Sequence, residues 1–238
     1  MSRYQSVLHI PDIHVPFEDK AAVDAAMWIA GKCQPDTVVV HGDLMDCYTV
    51  SRFSKDPTRG VHIQEEADMA HRILRDLRRH SKAKRCVFIN GNHEARLDKY
   101  VQGQASALHG VRGLSIPGML RLEDIGWENV EFNGRFMAGP IMCIHGIRYG
   151  VGTAMNNLRH YGVSVVQGHS HKVSSAHMSF VGGRQIESHE IGCLASTDVE
   201  YTDHPNWQHA VAVSEYDTRN PRQHWVTPYV IRDGEVRY

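Results

Sequence analysis

Seven side chains of metal-binding type follow short apolar segments in this chain of 238 residues. They are Asp12, His14, Asp43, Asn92, His145, His169 and His171. The first four come after the segments SVLHI, TVVVH and CVFIN, and the last three come after MCI and VVQG. Carboxylate, amide oxygen and imidazole groups are ligands for divalent transition metals. The pattern therefore predicts a metal centre assembled from five separate parts of the chain.

Each motif also has a structural interpretation when it is considered alone. An isolated Asp or His after a strand is commonly a cap or a turn residue, and Gly42-Asp43 is a common turn. Asp12 and His14 would leave the same side of an extended chain and share a cation. Two neighbouring imidazoles, as in His169-Ser170-His171, would repel each other if both were charged. The ordered occurrence of all five motifs favours the metal site.

The elements that would position these residues alternate between strand and helix in the first half. Residues 19–33 and 62–81 carry apolar side chains at spacings of three and four, which predicts two helices. The strands between them would form a largely parallel sheet whose carboxyl ends lie together. The second half predicts mostly β structure, with one helix near 152–161 and a final hairpin turning at Asp233-Gly234. Residues 103–118 are expected to form a surface loop.

The composition excludes several classes of protein. Lys and Arg total 26 against 27 Asp and Glu, so no global charge attracts nucleic acid or an anionic membrane. Five cysteines without a CxxC pair indicate neither a disulfide framework nor a zinc knuckle. The N-terminal sequence has no signal-peptide h-region, and no apolar run approaches the ~20 residues that span a bilayer. We expect a single cytoplasmic domain over residues 1–238, without a membrane partner; the sequence leaves the oligomeric state open.

The ordered motifs resemble those of the calcineurin-like metallophosphoesterase superfamily, which run D-x-H, G-D-x-x-D, G-N-H-[DE], a later H, and G-H-x-H. In this chain the matching segments are Asp12-Ile13-His14, Gly42-Asp43-Leu44-Met45-Asp46, Gly91-Asn92-His93-Glu94, His145-Gly146 and Gly168-His169-Ser170-His171. The resemblance implies a four-layer α/β/β/α sandwich, in which helices flank two mixed β-sheets.

The resemblance also implies a role for each site residue. Asp12, His14 and His171 would hold a first metal, Asn92, His145 and His169 a second, and Asp43 would bridge them. His93 would be the catalytic residue that donates to a phosphate oxygen or protonates the leaving oxygen. Asp46 and Glu94 would orient imidazoles. Arg96 has two interpretations, a phosphate contact or an arginine on an exposed helix surface.

The expected activity is hydrolysis of phosphodiester bonds, with phosphomonoesters as further substrates. Mixed nitrogen and oxygen ligands favour manganese, with iron, zinc or nickel as alternatives, over magnesium. Two such cations ~3.5–4 Å apart would lower the pKa of a bridging water towards ~7, and the resulting hydroxide would attack phosphorus without a phosphoenzyme.

Three alternative functions remain open. Ser/Thr protein phosphatases carry G-D-x-H-G and G-D-x-V-D-R-G, and this chain departs from both, so small bacterial or phage-type phosphodiesterases are more similar. A catalytically silent scaffold of the same fold would have lost ligands, and none is lost here. A single-zinc hydrolase of another fold would carry HExxH, which is absent.

Two regions are candidates for contacting the substrate, and nucleotides or DNA are candidate substrates. Basic residues crowd the second helix and the turn after it, at positions 72, 75, 78, 79, 82, 84 and 85. They could contact a DNA backbone, but they also complement the helix dipole and lead away from the metal ligands. The segment 103–118, which follows the third motif, is the preferred region for substrate selection.

Overall fold

Two β-sheets lie face to face between helices in the computed structural model, which describes residues 2–52, 61–197 and 206–238. The described strands are β1 (Tyr4–Ile10), β2 (Thr37–Val40), β3 (Arg85–Ile89), β4 (Glu128–Val130), β5 (Phe136–Ala138), β6 (Ile141–Ile144), β7 (Ser164–Gln167), β8 (Val173–Ser179), β9 (Gln185–Ile191), β10 (Ala210–Asp217), β11 (His224–Arg232) and β12 (Glu235–Val236). The described α-helices are α1 (Lys20–Cys33), α2 (Ile63–Ser81), α3 (Glu94–Gln104), α4 (Ile116–Met119) and α5 (Thr153–Tyr161).

Both sheets are mixed. The first has the order β12-β11-β10-β1-β2-β3-β4, with parallel pairing from β1 to β4 and antiparallel pairing from β1 to β12. The second has the order β5-β6-β7-β9-β8, with parallel pairing from β6 to β9 and antiparallel pairing at both edges. The first sheet thus combines the predicted parallel strands with the predicted C-terminal hairpin.

Alternating side chains of β1 define the layers. Leu8 and Ile10 pack in the core that α1 and α2 cover, whereas Val7 packs with Phe136 and Cys143 of the second sheet. On the far side of the second sheet, Met142 and Val165 pack against Tyr161 at the end of α5. These contacts confirm the expected α/β/β/α arrangement.

The two long helices begin and end close to the expected residues. Asp19 caps α1 by accepting a hydrogen bond from the Ala22 amide at 2.8 Å. In α2 the apolar stripe that includes Ala67, Leu74 and Leu77 is buried. The final hairpin turns at Asp233 and Gly234, both with positive φ, as a two-residue turn of this type requires. None of the described helices is long and apolar enough to cross a membrane.

Residues 103–118 differ from the expected irregular loop. They contain the end of α3, two short 3-10 turns at Ser106–Leu108 and Arg112–Leu114, and the start of α4. The helix α3, which buries Ala95, Leu97 and Val101, was not delimited by the sequence pattern. Only a few apolar residues face the core on this helix, so its periodicity is weak.

Candidate metal centre

The first group of candidate ligands is formed by Asp12, His14 and His171. His14 Nε2 lies 3.2 Å from His171 Nε2, which lies 3.6 Å from Asp12 Oδ1. All three side chains are buried. Two atoms that bind one cation at ~2.1 Å each are at most ~4.2 Å apart. These separations therefore fit a shared cation.

The second group is formed by Asn92, His145 and His169 together with Asp43. His145 Nε2 lies 2.9 Å from Asn92 Oδ1 and 3.4 Å from Asp43 Oδ2. A ring nitrogen of His169 lies within 4.8 Å of ligand atoms of both Asp43 and His145. The structure thus brings together all seven residues, in the two groups that the family resemblance implies.

Asp43 connects the two groups through a single oxygen. Its Oδ2 lies 3.8 Å from His14 Nε2 in the first group and 3.4 Å from His145 Nε2 in the second. Its Oδ1 accepts a hydrogen bond from the His93 amide at 2.8 Å. Because this amide anchors the carboxylate, Oδ2 stays directed between the groups.

The backbone at four of these residues is left-handed, with positive φ at His14, Asp43, His169 and His171. This conformation is uncommon for residues other than glycine, and it occurs often at functional sites. The expectation that Asp12 and His14 meet on an extended chain is wrong, because φ is 56° at His14. A turn, and not the strand pleat, brings their side chains together.

Close backbone packing also shapes the site. A Cβ atom at Gly91 would overlap the Asp43 amide nitrogen and Oδ1, and one at Gly168 would overlap Asp12 Oδ2. The His169 amide donates to both carboxylate oxygens of Asp12, at 3.0 and 2.9 Å. Glycine at these two positions therefore allows the loops to reach the carboxylates.

Hydrogen bonds at Nδ1 orient the imidazoles of His14 and His145. His14 Nδ1 lies 3.0 Å from Asp46 Oδ1, and His145 Nδ1 lies 2.7 Å from the His41 carbonyl oxygen. Since a carbonyl only accepts, His145 carries its proton on Nδ1 and leaves the Nε2 lone pair for a cation. His171 packs against Trp207, with ring centroids 4.3 Å apart. Its Nδ1 is buried without a hydrogen-bond partner among the described residues.

Glu94 does not orient an imidazole, in contrast to the expectation. Its carboxylate accepts hydrogen bonds from the amides of Asp43, Met45 and Gly91, at 2.9, 2.9 and 2.7 Å. As the first residue of α3, it reaches back under the loops after β2 and β3. It therefore joins the two loops that carry Asp43 and Asn92.

Asp46 and Arg96 surround His93. His93 Nδ1 lies 3.0 Å from Asp46 Oδ1, so one carboxylate contacts both His93 and His14. Arg96 donates to the Asp46 carbonyl oxygen at 2.9 Å, and its Nη2 lies 2.8 Å from His93 Nε2. The Arg96 side chain is 22% exposed, which excludes the exposed-surface interpretation. Its guanidinium lies at the Nε2 atom of His93, although His93 also forms, with His14 and Asp43, a group whose potential ligand atoms lie within 4.8 Å of one another. That His93 is not a metal ligand stays a prediction.

The surroundings shift the pKa values of several site residues, and at His145 the effect of burial is outweighed by Asp43 and Asp12, which raise the pKa. Burial alone would raise the pKa of Asp12, but the hydrogen bond and charge of His171 hold it well below its usual range. Burial, assisted by His145, lowers the pKa of His169 to about 4, which keeps that ring neutral and able to bind a cation. At His93 the effect of burial is outweighed by Asp43 and Asp46, which raise its pKa to about 9. These carboxylates therefore favour uptake of a second proton by His93 when Arg96 does not contact its Nε2.

A further buried group, His9, His41 and Cys143, also brings potential ligands together. Its hydrogen bonds account for it without a metal. His41 Nδ1 donates to the Ile144 carbonyl oxygen at 2.9 Å, so its Nε2 accepts from His9 Nδ1 at 3.0 Å. His9 Nε2 then accepts from the Ser214 hydroxyl at 2.8 Å. This network fixes His41, whose carbonyl orients His145, although the sequence pattern alone indicates no role for His41. Its position directly before Gly42-Asp43 was the available signal.

The profile of the calcineurin-like phosphoesterase family matches residues 6–177. The chain is 29% identical over 228 residues to the Gene 54 protein of Mycobacterium phage L5, covering 89% of each chain. It is 30% identical over 202 residues to the Gene 54 protein of Mycobacterium phage D29, covering 79% of this chain and 78% of that one.

Similar solved structures include Vacuolar Protein Sorting 29 from Cryptosporidium parvum, with a TM-score of 0.54 and 16% identity, covering 99% of this chain and 96% of that one. Vps29 from Chaetomium thermophilum has a TM-score of 0.51 and 10% identity, covering 99% and 94%. At these identities the likeness shows the fold alone.

Proposed function

Because the chain belongs to the calcineurin-like phosphoesterase family, we propose that it is a binuclear metal-dependent enzyme that hydrolyses phosphodiester bonds. The main support is the position of Asp43, whose Oδ2 lies within 3.8 Å of a ligand nitrogen in each group. A carboxylate oxygen shared in this way fits two cations better than one. Phosphomonoesters are further candidate substrates.

The proposed ligand sets follow the two groups. Asp12, His14 and His171 would hold one cation, and Asn92, His145 and His169 would hold the other, with Asp43 contacting both. We propose manganese, with iron, zinc or nickel as alternatives, because the ligands mix nitrogen and oxygen. When bound, the two cations would acidify a water and neutralise charge on the phosphate.

The chain itself would supply a proton donor and a phosphate contact. His93 lies beside Asp43, with its Nε2 3.8 Å from Asp43 Oδ2, and its raised pKa keeps it able to donate. It would donate to a phosphate oxygen or to the leaving oxygen. Arg96 would turn its guanidinium from His93 to the phosphate, for which its planar donors are suited. Asp46 would hold the His93 and His14 rings in their orientations.

The site would act on a phosphate ester in the cytoplasm, without a membrane partner. The test is hydrolysis of bis(4-nitrophenyl) phosphate and of 4-nitrophenyl phosphate by protein loaded with Mn²⁺, with metal content measured on the same samples. We expect two cations per chain and turnover of the diester. His93→Ala should lower kcat by about 10²–10⁴ while both cations remain bound. His160→Ala, which changes an exposed histidine of α5, is the control and should keep wild-type rates.

Each alternative function predicts a different outcome of these measurements. Two bound cations without hydrolysis of either ester would indicate the catalytically silent scaffold. One bound cation per chain would contradict the binuclear site. Hydrolysis of a phosphoprotein without turnover of the diester would favour a phosphoprotein phosphatase.

A further inference from the structure

A groove of about 600 Å³ opens beside the candidate metal centre. It lies between residues 50–52, which follow β2, and the outer face of α3. Asn92 and Arg96 line it and also belong to the site, through contacts with His145 and His93. A substrate whose phosphate sits at the metals can therefore extend into this groove past His93.

Basic side chains are among the residues that line the groove. Arg52, Arg96 and Lys99 line it, and none of the described lining residues is acidic. Lys99 is exposed, with its Nζ 5.8 Å from the Phe132 ring centroid. Arg96 lies 3.7 Å from Asp46 Oδ2, so its charge is partly compensated, whereas Lys99 forms no ion pair with any of the described residues. An exposed lysine at this place suits a phosphate group beyond the one being hydrolysed.

An aromatic ring lies among these cations. Tyr100 lines the groove and is 44% exposed, although α3 buries apolar residues on its other face. Arg96, Lys99 and Tyr100 follow helical spacing, and Gln104 continues the same face one turn later. Basic and aromatic side chains thus form a continuous stripe that begins at the metal centre. Aromatic rings stack on nucleobases, and cations contact the phosphates between them.

A second exposed ring stands beside the metal ligands. Tyr149 is 79% exposed, and its ring centroid lies 5.9 Å from that of His169. A phosphodiester has two ester groups, of which the groove would accept one. Tyr149 offers a stacking surface for the other, next to the second ligand group.

Three basic residues in α2 and after its end also have partners within the protein. Arg78 donates to the Gly126 carbonyl oxygen at 2.7 Å, Lys84 pairs with Asp36 at 3.0 Å, and Arg85 makes two hydrogen bonds of 2.7 Å to Glu128. The charges of Lys84 and Arg85 are thereby partly neutralised. The groove along α3 shares Asn92 and Arg96 with the candidate metal centre, and it is therefore the better site for the rest of the substrate.

We propose that this groove binds a nucleoside of the substrate, and that the enzyme acts on nucleotide phosphodiesters. The inference rests on the proposed function for the hydrolytic step, whereas binding in the groove does not require hydrolysis. The shared chemistry is a nucleobase stacked on Tyr100 with its phosphate beside Lys99. A single-stranded nucleic acid and a short nucleotide diester both present it.

The test compares two diesters with the same leaving group, thymidine 5′-(4-nitrophenyl phosphate) and methyl 4-nitrophenyl phosphate. We expect the wild type to prefer the thymidine ester in kcat/KM. Tyr100→Leu should lower that preference about tenfold, and Lys99→Gln about fivefold. Lys32→Gln and Tyr4→Leu are matched controls and should keep the wild-type preference. Lys32 Nζ lies 5.5 Å from the Trp28 ring centroid on α1, and Tyr4 is 41% exposed on β1.

Binding of a fluorescein-labelled oligothymidylate of six nucleotides, followed by anisotropy, separates this inference from the hydrolytic function. A strand that binds and is weakened by Tyr100→Leu, without hydrolysis of either ester, would support the groove and overturn the proposed activity. If both esters are hydrolysed and the groove variants keep the same preference for the thymidine ester as the control variants, the groove proposal is refuted and the proposed activity stands. Absence of both binding and hydrolysis would overturn both. If a thymidine dinucleotide competes with the labelled strand at equal affinity, the substrate class is short nucleotide diesters. If it competes much more weakly, the substrate class is single-stranded nucleic acid.

Discussion

The Nη2 atom of Arg96 lies 2.8 Å from the Nε2 atom of His93. A guanidinium only donates hydrogen bonds, so this Nε2 carries no proton, and His93 Nδ1 donates to the Asp46 carbonyl oxygen at 2.9 Å. Although burial lowers the pKa of His93, Asp43 and Asp46 raise it to about 9. The ring can therefore take up a second proton once Arg96 turns away. A phosphate oxygen, which attracts the guanidinium, would cause that change.

The Arg96→Ala variant should move the alkaline limb of the kcat profile to higher pH. The Arg96 charge lowers the pKa of His93, so its removal raises that pKa. A proton donor loses activity as the pH rises through its pKa, so a donor with a higher pKa stays active up to a higher pH. The measurement is kcat between about pH 6 and 11, with Arg159→Ala on α5 as control. A limb at the wild-type pH would show that Arg96 does not act on His93.

The Asp46→Asn variant should weaken binding of the metal that His14 holds. Asp46 Oδ1 lies 3.0 Å from Nδ1 of both His14 and His93, and loss of its charge leaves these rings less firmly oriented. Loss of such a partner typically costs about 10–100-fold in metal affinity. Calorimetric titration with Mn²⁺ measures the change, and Asp24→Asn on the exposed side of α1 is the control. Affinity within twofold of the wild type would contradict the role assigned to Asp46.

The Glu66→Gln variant should make the metal-free protein more stable at alkaline pH. Glu66 is buried on α2, where its Oε2 accepts from the Cys47 amide at 2.8 Å and its Oε1 has no partner among the described residues. Burial raises its pKa from 4.5 to about 8. Between these values the folded chain holds a proton that the unfolded chain has lost, so stability falls as the pH rises, by about 1.4 kcal/mol per pH unit.

Glutamine cannot ionise and therefore avoids this loss. The difference in unfolding free energy between variant and wild type should grow by roughly 3–5 kcal/mol from about pH 5 to pH 8.5, as measured by urea denaturation in EDTA. Glu123→Gln changes an exposed carboxylate and should show no such trend. A pH-independent difference for Glu66→Gln would mean that Glu66 is already ionised in the fold.

The Gly91→Ala variant should disrupt both metal groups. The added Cβ overlaps the Asp43 amide nitrogen and Oδ1, so the loop after β3 must move away from Asp43. We expect a loss of about 1–3 kcal/mol in unfolding free energy and weaker binding of both cations. Gly31→Ala is the matched control, because the nearest atom to its Cβ is the His80 carbonyl oxygen at 4.0 Å. That change should stabilise α1 by roughly 0.5–1 kcal/mol. Wild-type affinity for two cations in Gly91→Ala would rule out the steric argument.

The sequence predicted the parts of the fold in which local pattern and tertiary packing agree. The helix α2 carries an apolar stripe, and the segments before Asp12, Asp43 and Asn92 are apolar runs of strand length. Their hydrophobic patterns therefore predict one helix and three strands. The residues that form the two candidate groups were also readable, because each stands at the end of such a run. Pairing of β10 with β1 depends on contacts distant in sequence, and no local pattern specifies it.

The geometry of the site could not be read in the same way. The left-handed turn at His14 is imposed by the surrounding loops, and local preference would favour an extended chain. Glu94 carries the residue type expected for a partner of an imidazole, but the direction of α3 sends it to backbone amides instead. The sequence pattern does not indicate Tyr100 and Lys99, because it does not define the bounds of α3. Their position on one face of α3 becomes evident only when the bounds of this helix are known.

The place of β1 at the middle of the first sheet has a consequence for synthesis on the ribosome. Tyr4 pairs with Asp217 and His9 with Ala212, so β1 leaves the ribosome long before the strand that covers its second edge. Until then the nascent chain presents an open strand edge directly before Asp12, and such edges favour aggregation. A premature stop codon before Ala210 would leave every candidate ligand in the translated product and still expose that edge.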